Sequence, residues 1–356
     1  MNDRFLFSLL AVATITALSP TLSAQQGSAR YELTFQSTWS AGTHPTQFPG
    51  NPHYSPLVGG THNSNAVFWA PGQTASNGIE QMAETGGTSL LVNEVNQQLN
   101  AGNANQVLNF GGSGALGNSP GQLTVSFTAQ PDFSELSLVT MLAPSPDWFL
   151  GVHGFNLMEN GDWIESAVIP LHVYDAGTDS GTTYTSGNAN TSPRAPIQIV
   201  TTASGPFQGA PTMVGTFTIQ RVSSTLVYGC NNPAGSLSIN GNAELGQTLQ
   251  FALMEPTGQL PTPAVSALAL AATRDISFPC GTLLPGFGLA SGSAGEVLLG
   301  SIDALATGPT FLGGSAIMLV TLPNHASLLG QEFYFQGLLA STRVGLTRGV
   351  AIRIGN

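Results

Sequence analysis

The sequence predicts a mainly β protein: an antiparallel β-sandwich with short helices, followed by a second, small β-rich, sandwich-like domain. Three observations carry this. The 356 residues include 43 Gly and 23 Pro, a composition of frequent turns and few long helices. Tyr31, Leu33, Phe35, Ser37 and Trp39 alternate with Glu32, Thr34, Gln36 and Thr38, the period of a half-buried strand. Charge is also unevenly distributed. Arg30 to Val222 holds three Arg against twelve Asp and Glu, whereas Ser223 to Asn356 holds four against six. The seam is expected near Val222-Ser223-Ser224-Thr225, where a strand-like run ends, giving domains over 28–222 and 226–356.

Within the first domain, Leu123, Val125 and Phe127 repeat the alternation. Further strands are expected at Leu136–Leu142, Phe149–Met158, Ala167–Tyr174, Pro196–Thr202 and Gly215–Val222, with turn residues between them. One helical stretch interrupts them. Gly78–Ala83 and Leu90–Leu99 flank Gly86-Gly87, and Leu91, Val92, Val95 and Leu99 follow helical spacing. In the second domain, Leu245-Gly246-Gln247-Thr248-Leu249-Gln250-Phe251 and Leu329-Gly330-Gln331-Glu332-Phe333-Tyr334-Phe335 share one pattern. They read as an internal repeat or two equivalent strands; two copies are too few for a solenoid.

The first 24 residues read as a separate object. Arg4, the apolar run Phe5–Leu18 and the small residues at Leu22-Ser23-Ala24 describe a secretory signal peptide cut near Ala24. No later apolar run is long enough for a transmembrane helix. Export gives the two cysteines meaning: Cys230 and Cys280 are expected to pair, with two buried free thiols as the alternative. All eight basic residues are Arg, which excludes lysine-dependent chemistry. A net charge of −11 argues against a nucleic-acid partner.

Most motif matches are decoys. Gly117-Asn118-Ser119-Pro120-Gly121 copies a nucleophile elbow, yet Pro120 lacks the backbone N–H the oxyanion hole needs. Gly112-Ser113-Gly114-Ala115-Leu116-Gly117 copies a dinucleotide string but opens no helix. His44, His53 and His62 read as structural. The carboxylates differ. Asp147, Glu159, Asp162, Glu165, Asp175 and Asp179 share 33 residues with no basic residue among them. They form either a solvated acidic face or a metal site. Asp147 follows the Pro-pinned corner Ser145-Pro146, and Asp175 and Asp179 sit in Tyr174-Asp175-Ala176-Gly177-Thr178-Asp179-Ser180-Gly181. If those corners meet, each like-charge pair at ~4 Å costs about 4 kcal/mol at an effective dielectric of 20. A divalent cation removes that cost, and Ca2+ suits oxygen-rich, flexible loops.

These strings resemble the spondin domain of F-spondin and mindin. The resemblance runs from about Arg30 to Val222. It rests on Tyr31-Glu32-Leu33-Thr34-Phe35, Trp39-Ser40, Ser55-Pro56-Leu57-Val58-Gly59, His62-Asn63-Ser64, Phe68-Trp69 and Ala75-Ser76-Asn77-Gly78. Most specific are Ser145-Pro146-Asp147-Trp148-Phe149-Leu150-Gly151-Val152 and the Tyr174–Gly181 string. The resemblance implies an antiparallel sandwich with one calcium at loops on one end. The family's metal-binding aspartates fall on Asp147, Asp175 and Asp179. Glu84, in a matching Ala-Glu pair, is implied as part of a ligand-recognition surface. The chain departs from the family between about Asn100 and Pro120 and around Pro206. The second half resembles, more loosely, a C-terminal module on secreted planctomycete proteins, through Tyr228-Gly229-Cys230, Phe278-Pro279-Cys280-Gly281, Leu322-Pro323-Asn324 and the Leu329–Gly337 string.

The expected function is therefore a secreted, calcium-binding adhesion or recognition protein without catalysis, its partner an extracellular protein or glycan. Gly177 or a nearby carbonyl is a candidate neutral metal ligand. One alternative is a carbohydrate-binding module with Trp148 or Trp163 as a stacking platform; core packing is the other reading of both rings. A second is a hydrolase using a carboxylate pair such as Asp162 and Glu165.

Overall fold

A computed structural model describes the strand Ala11–Thr14 and residues 26–356. The expected signal peptide and its cut near Ala24 otherwise lie outside the described residues. The chain divides into two units: Tyr31–Met158 with Ile164–Arg221, and Val222–Asn356 with Glu159–Trp163 and the residues before Tyr31. Both are built from antiparallel strands.

In the first unit, Gly27–Ser37 lies between Gly121–Ala129 and the first half of Met213–Tyr228, which also pairs with Ser166–His172. The alternation in Tyr31–Ser37 is realised: Tyr31, Leu33, Phe35 and Ser37 are buried. A second sheet runs in the order Gln198–Ile199, Tyr174–Asp175, Trp148–Asn156, Glu135–Ala143, Val58–His62, Ala104–Asn109. Phe35 of the first sheet meets Tyr54, which pairs with Leu142 of the second, at 4.9 Å between ring centroids.

Eight of the nine residues in Glu135–Ala143 are buried, on both faces. Two helices explain this: α1 (Asn77–Thr85) and α2 (Ser89–Asn100). Their Ile79, Met82, Ala83, Leu91 and Val95 cluster with Val139, Met141 and Ala143, while the alternate residues Leu138, Thr140 and Leu142 point the other way, into the sandwich. The hydroxyl of Ser76 caps α1 by accepting from Ile79 N at 3.1 Å. Glu94 of α2 accepts from Gly78 N and the Ser76 hydroxyl, both at 2.7 Å, so a carboxylate faces the positive end of α1. The break at Gly86 is a left-handed helix stop with φ 70°.

Two expectations need correction. Pro196–Thr202 contributes only the pair Gln198–Ile199; Pro196 has no N–H to donate to a ladder. The run expected to stop at Val222 continues to Tyr228, because its second half pairs with Val344–Arg353.

In the second unit, Leu237–Asn240, Thr248–Met254 and Ser315–Thr321 pair in order, and Ala11–Thr14 pairs antiparallel with Ser315–Thr321. Ala304–Phe311, Ala264–Ala271, Glu332–Ala340 and Val344–Arg353 form a second run of strands. The two Leu-Gly-Gln strings are equivalent strand entrances. Gly246 N donates to Leu322 O and Leu322 N to Gln247 O; Gly330 N donates to Ile354 O and Ile354 N to Gln331 O. Both glycines are left-handed, φ 76° and 74°. Their strands place Phe251 and Phe335 in contact, ring centroids 4.8 Å apart, within one core. Cys230 and Cys280 form a disulfide.

Candidate metal centre

The acidic corner is assembled by strand pairing. Trp148–Asn156 and Tyr174–Asp175 are antiparallel neighbours, with Trp148 opposite Asp175 and Phe149 opposite Tyr174. Asp147, one residue before the first strand, therefore lies beside the loop that leaves the second. Ala176 N donates to Asp147 O at 3.1 Å.

Local chemistry shapes that loop. Asp175 and Asp179 each head an Asp-x-Gly triplet, and each side chain accepts from the backbone N–H two residues on. Gly177 N donates to Asp175 Oδ1 at 2.8 Å and Gly181 N to Asp179 Oδ1 at 2.6 Å. Gly177 is obligatory: its φ is +72°, and a Cβ there would lie 2.3 Å from the Ala195 carbonyl oxygen. The Gly177 carbonyl already accepts from Ala195 N at 2.9 Å. Asp179 Oδ2 accepts from Ala189 N at 2.6 Å, fastening the far side of the loop.

Asp147 is fully buried. Its Oδ2 accepts from Thr178 N at 2.8 Å, Asp179 N at 3.0 Å and the Thr178 hydroxyl at 3.2 Å. Its Oδ1 is buried and has no hydrogen-bond partner. Burial pushes the Asp147 carboxyl upward, the N–H groups of Asp179 and Thr178 offset part of this, and the charge of Asp179 adds to it. Asp175 is pushed up to about 6, by burial first and by the charge of Asp147 next. Among the described residues, no ion pair reaches Asp147, Asp175, Asp179 or Glu84.

Glu84 sits in the last turn of α1. Its carboxyl is raised by burial, partly offset by the Thr178 hydroxyl, and raised further by the charges of Glu80, Asp179 and Asp147. Its Oε1 is buried without a partner. Asp147 thus feels the charge of Asp179, Asp175 those of Asp147 and Asp179, and Glu84 those of Asp179 and Asp147, while no three of these carboxylates gather their oxygens within 4.8 Å. No sequence spacing links Glu84 to the others; only the packing of α1 on the sheet brings it there.

Other candidates are resolved differently. Trp148 and Trp163 are 4% and 3% exposed, so neither offers a stacking face. Trp148 packs edge-on against Tyr184 and Phe207, and Trp163 Nε1 donates to Thr225 O at 3.2 Å. Asp162 pairs with Arg274 at 2.6 Å and Glu165 with Arg221 at 3.0 Å. Ser119 is buried and donates to Trp39 O. Gly111–Gly114 is a short 3-10 turn, not the start of a nucleotide-binding helix. His44 and His62 are buried structural residues, bonded to Pro211 O and to the Ser137 hydroxyl.

A further buried carboxylate, unmarked by any motif, stands in the second unit. Glu296 is fully buried beside the disulfide. It accepts from Cys230 N, Asn231 N and Gly281 N, all at 2.8 Å, and from Asn232 N at 3.4 Å. Burial alone would raise its carboxyl; the N–H groups of Asn231, Gly281, Cys230 and Asn232 outweigh it and hold the group low. Among the described residues, the metal-type side chains gathered within 4.8 Å of one another are Glu296, Cys230 and Cys280. Both sulfurs there are spent on the disulfide.

Fold and corner together define a class: a helix-buttressed antiparallel β-sandwich with an acidic cluster built from loops at one end. The Spondin_N family matches residues 29–210, and the chain belongs to that family. Human Spondin-2 is 34% identical over 204 residues, 55% of this chain and 61% of the relative. Human Spondin-1 is 34% identical over 212 residues, 55% of this chain and 26% of the relative. Chicken Spondin-1 is 36% identical over 188 residues, 51% and 23% of the two chains. The chain thus covers less than two thirds of these curated relatives. Among the described residues, no helix is long and apolar enough to cross a membrane.

Proposed function

We propose that this chain is a secreted, non-catalytic recognition or adhesion protein whose sandwich is organised at one end by a bound calcium ion. One observation supports this above the others. Asp147 is fully buried with an unpartnered carboxylate oxygen, among acidic neighbours and without a protein cation. A buried carboxylate in that state is costly unless a positive partner is supplied.

The donor types are those a hard divalent ion takes; no three of Asp147, Asp175, Asp179 and Glu84 bring their oxygens within 4.8 Å of one another, so the ion would draw the loop in as it binds. Asp147, Asp175 and Asp179 offer carboxylate oxygens, and the last two stand on a loop whose backbone is already bent by its own Asx turns. When bound, the ion supplies the charge that cancels their mutual repulsion. The protein's part is to hold the donors. Asp179 ties the loop to Ala189, and Thr178 and Asp179 N–H groups orient Asp147. The loop edge so fixed is the surface on which an extracellular protein or glycan would be recognised. Membership of the Spondin_N family, beside relatives named Spondin-1 and Spondin-2, supports a spondin-type role for this chain.

The test is calorimetric titration of the chelated full chain with calcium, beside an Asp175→Asn/Asp179→Asn variant, with melting followed in parallel. Saturable binding and a melting rise lost in the variant are expected. Wild-type protein that neither binds nor shifts would overturn the reading.

A further inference from the structure

We propose that the outer edge of strand Ser315–Thr321, in the second unit, is a strand-acceptor site. In the exported chain it takes an extended, uncharged segment of another polypeptide, added antiparallel to the sheet. This rests on the secretory part of the reading above and is independent of the calcium ion.

Before processing, the edge has an occupant. Ala11–Thr14 runs antiparallel along it in unbroken register, Ala11 opposite Thr321, Val12 opposite Val320, Ala13 opposite Leu319 and Thr14 opposite Met318. The other edge of the same strand is paired with Thr248–Met254. Ala11–Thr14 also lies close to Ala304–Phe311, the terminal strand of the second run. It therefore fills a seam between two terminal strands. Yet these four residues belong to the apolar run of the expected signal peptide. A cut near Ala24 takes the occupant away and leaves one edge of Ser315–Thr321 open.

That edge is built to be paired. Strands that stay open to water are normally guarded by charge, proline or a bulge. Ser315-Ala316-Ile317-Met318-Leu319-Val320-Thr321 has no charge, proline or glycine, and its register with Thr248–Met254 is unbroken. Ala304–Phe311 carries no charged residue either, so the seam favours an uncharged occupant. Ala316, Met318 and Val320 belong to the core of this unit. Residues of an added strand that stand opposite Met318 and Val320 fall on that same face, so the occupant needs apolar residues at alternate positions. Beside the seam, Ile302, Leu305 and Leu312 are large apolar side chains left exposed. Backbone pairing then supplies affinity and the alternate positions supply selection. Pairing two copies edge to edge would bring a second Ala304–Phe311 strand to the seam, where a single extended strand fills the place. The structure therefore favours a partner's segment over a second copy.

The full chain is exported, its processed form is identified by mass, and its oligomeric state is measured by sedimentation. It is then titrated, by fluorescence anisotropy, with a labelled peptide of residues 9–17. A Val12→Pro/Ala13→Pro peptide is the control. Neighbouring residues direct their N–H groups to opposite edges, so the two prolines break the ladder in either phase. We expect one peptide per processed chain and a melting rise on binding. The proline peptide should bind about tenfold or more weakly, the equivalent of one or two backbone hydrogen bonds. Leu319→Lys, at a half-buried position of the edge, should weaken the native peptide while the unliganded chain melts as wild type does. A processed monomer that binds neither peptide, or both equally, overturns the proposal. A processed dimer broken by Leu319→Lys assigns the edge to a second copy and overturns it too. A chain that keeps residues 11–14 after export removes the cleavage itself, so the secretory reading falls and takes this inference with it.

Discussion

Asp147 and Glu296 are both fully buried carboxylates, one in each unit, and they are opposites. Glu296 receives four backbone N–H groups from the two disulfide loops, and its carboxyl is held low. Asp147 receives three donors on a single oxygen, leaves the other unpartnered and is raised. Both side chains are shielded from solvent; the donor sets differ, and Asp147 also lies in the field of Asp179. A buried carboxylate with all its donors is a structural anchor. One left short of donors, among other acids, is where the proposed cation would be felt most.

The largest effect should come from dismantling the satisfied centre. Reducing Cys230–Cys280 is expected to lower stability by about 4 kcal/mol, the loop-closure estimate for a ring of this size. Glu296→Gln turns an N–H2 toward backbone donors and should cost about 2–3 kcal/mol. Denaturant unfolding followed by circular dichroism measures both; an unchanged midpoint in Glu296→Gln would show that the N–H cradle is not an anchor.

Asp147→Asn should behave in the opposite way. In chelator its melting temperature should equal or exceed wild type, because the amide keeps an acceptor for Thr178 and Asp179 and removes a repelling charge. In calcium, wild type should rise and the variant should not. A variant that melts well below wild type in chelator would mean that the carboxylate is already satisfied without an ion.

The pH dependence should separate the two regions further. Asp175 has its folded pKa raised to about 6 from 3.8, so its folded form binds the proton more tightly than the unfolded chain does. Stability from that protonation is fully present below the unfolded value and is lost as pH rises through about 6. Glu296 is depressed, so its contribution is present above the unfolded value and is lost as pH falls through the folded pKa. In chelator, wild type should therefore lose stability between pH 4 and 6 relative to Asp175→Asn, and Glu296→Gln should flatten the acid limb below about pH 4.5. Melting curves across pH 3 to 7 test the two slopes together.

The smallest effect belongs to ordinary ion pairs. Asp162→Asn removes the pair with Arg274, whose side chain is 37% exposed, and should cost about 1 kcal/mol or less without changing calcium affinity. A large loss of calcium binding there would extend the metal centre beyond the carboxylates described.

How much could be read along the chain depends on the range of the interaction. Strand alternation over Tyr31–Ser37, the break at Gly86 and the bends at the glycines of the Tyr174–Gly181 string are local, and each is realised in the structure. The continuation of Met213–Tyr228 past Val222 was not legible, because a partner strand more than a hundred residues away sustains it. Core packing of Trp148 and Trp163 was a reading of the sequence and is realised; the capture of Asp162 and Glu165 by Arg274 and Arg221 was not legible. Those pairs depend on what packs against each side chain.

By itself the sequence determined the β-rich class, the helix pair, the membership signalled by the Ser-Pro-Asp-Trp and Asp-Ala-Gly-Thr-Asp-Ser-Gly strings, and which aspartates stand at bends. Backbone propensity and side-chain periodicity act within a few residues, so a linear reading can recover them. Only the tertiary structure decided that Asp147 lacks a partner on one oxygen, that Glu84 also keeps one oxygen buried without a partner, and that Glu296 is fully served. Hydrogen-bond satisfaction and desolvation are sums over neighbours from distant parts of the chain, and they have no value until the chain has folded.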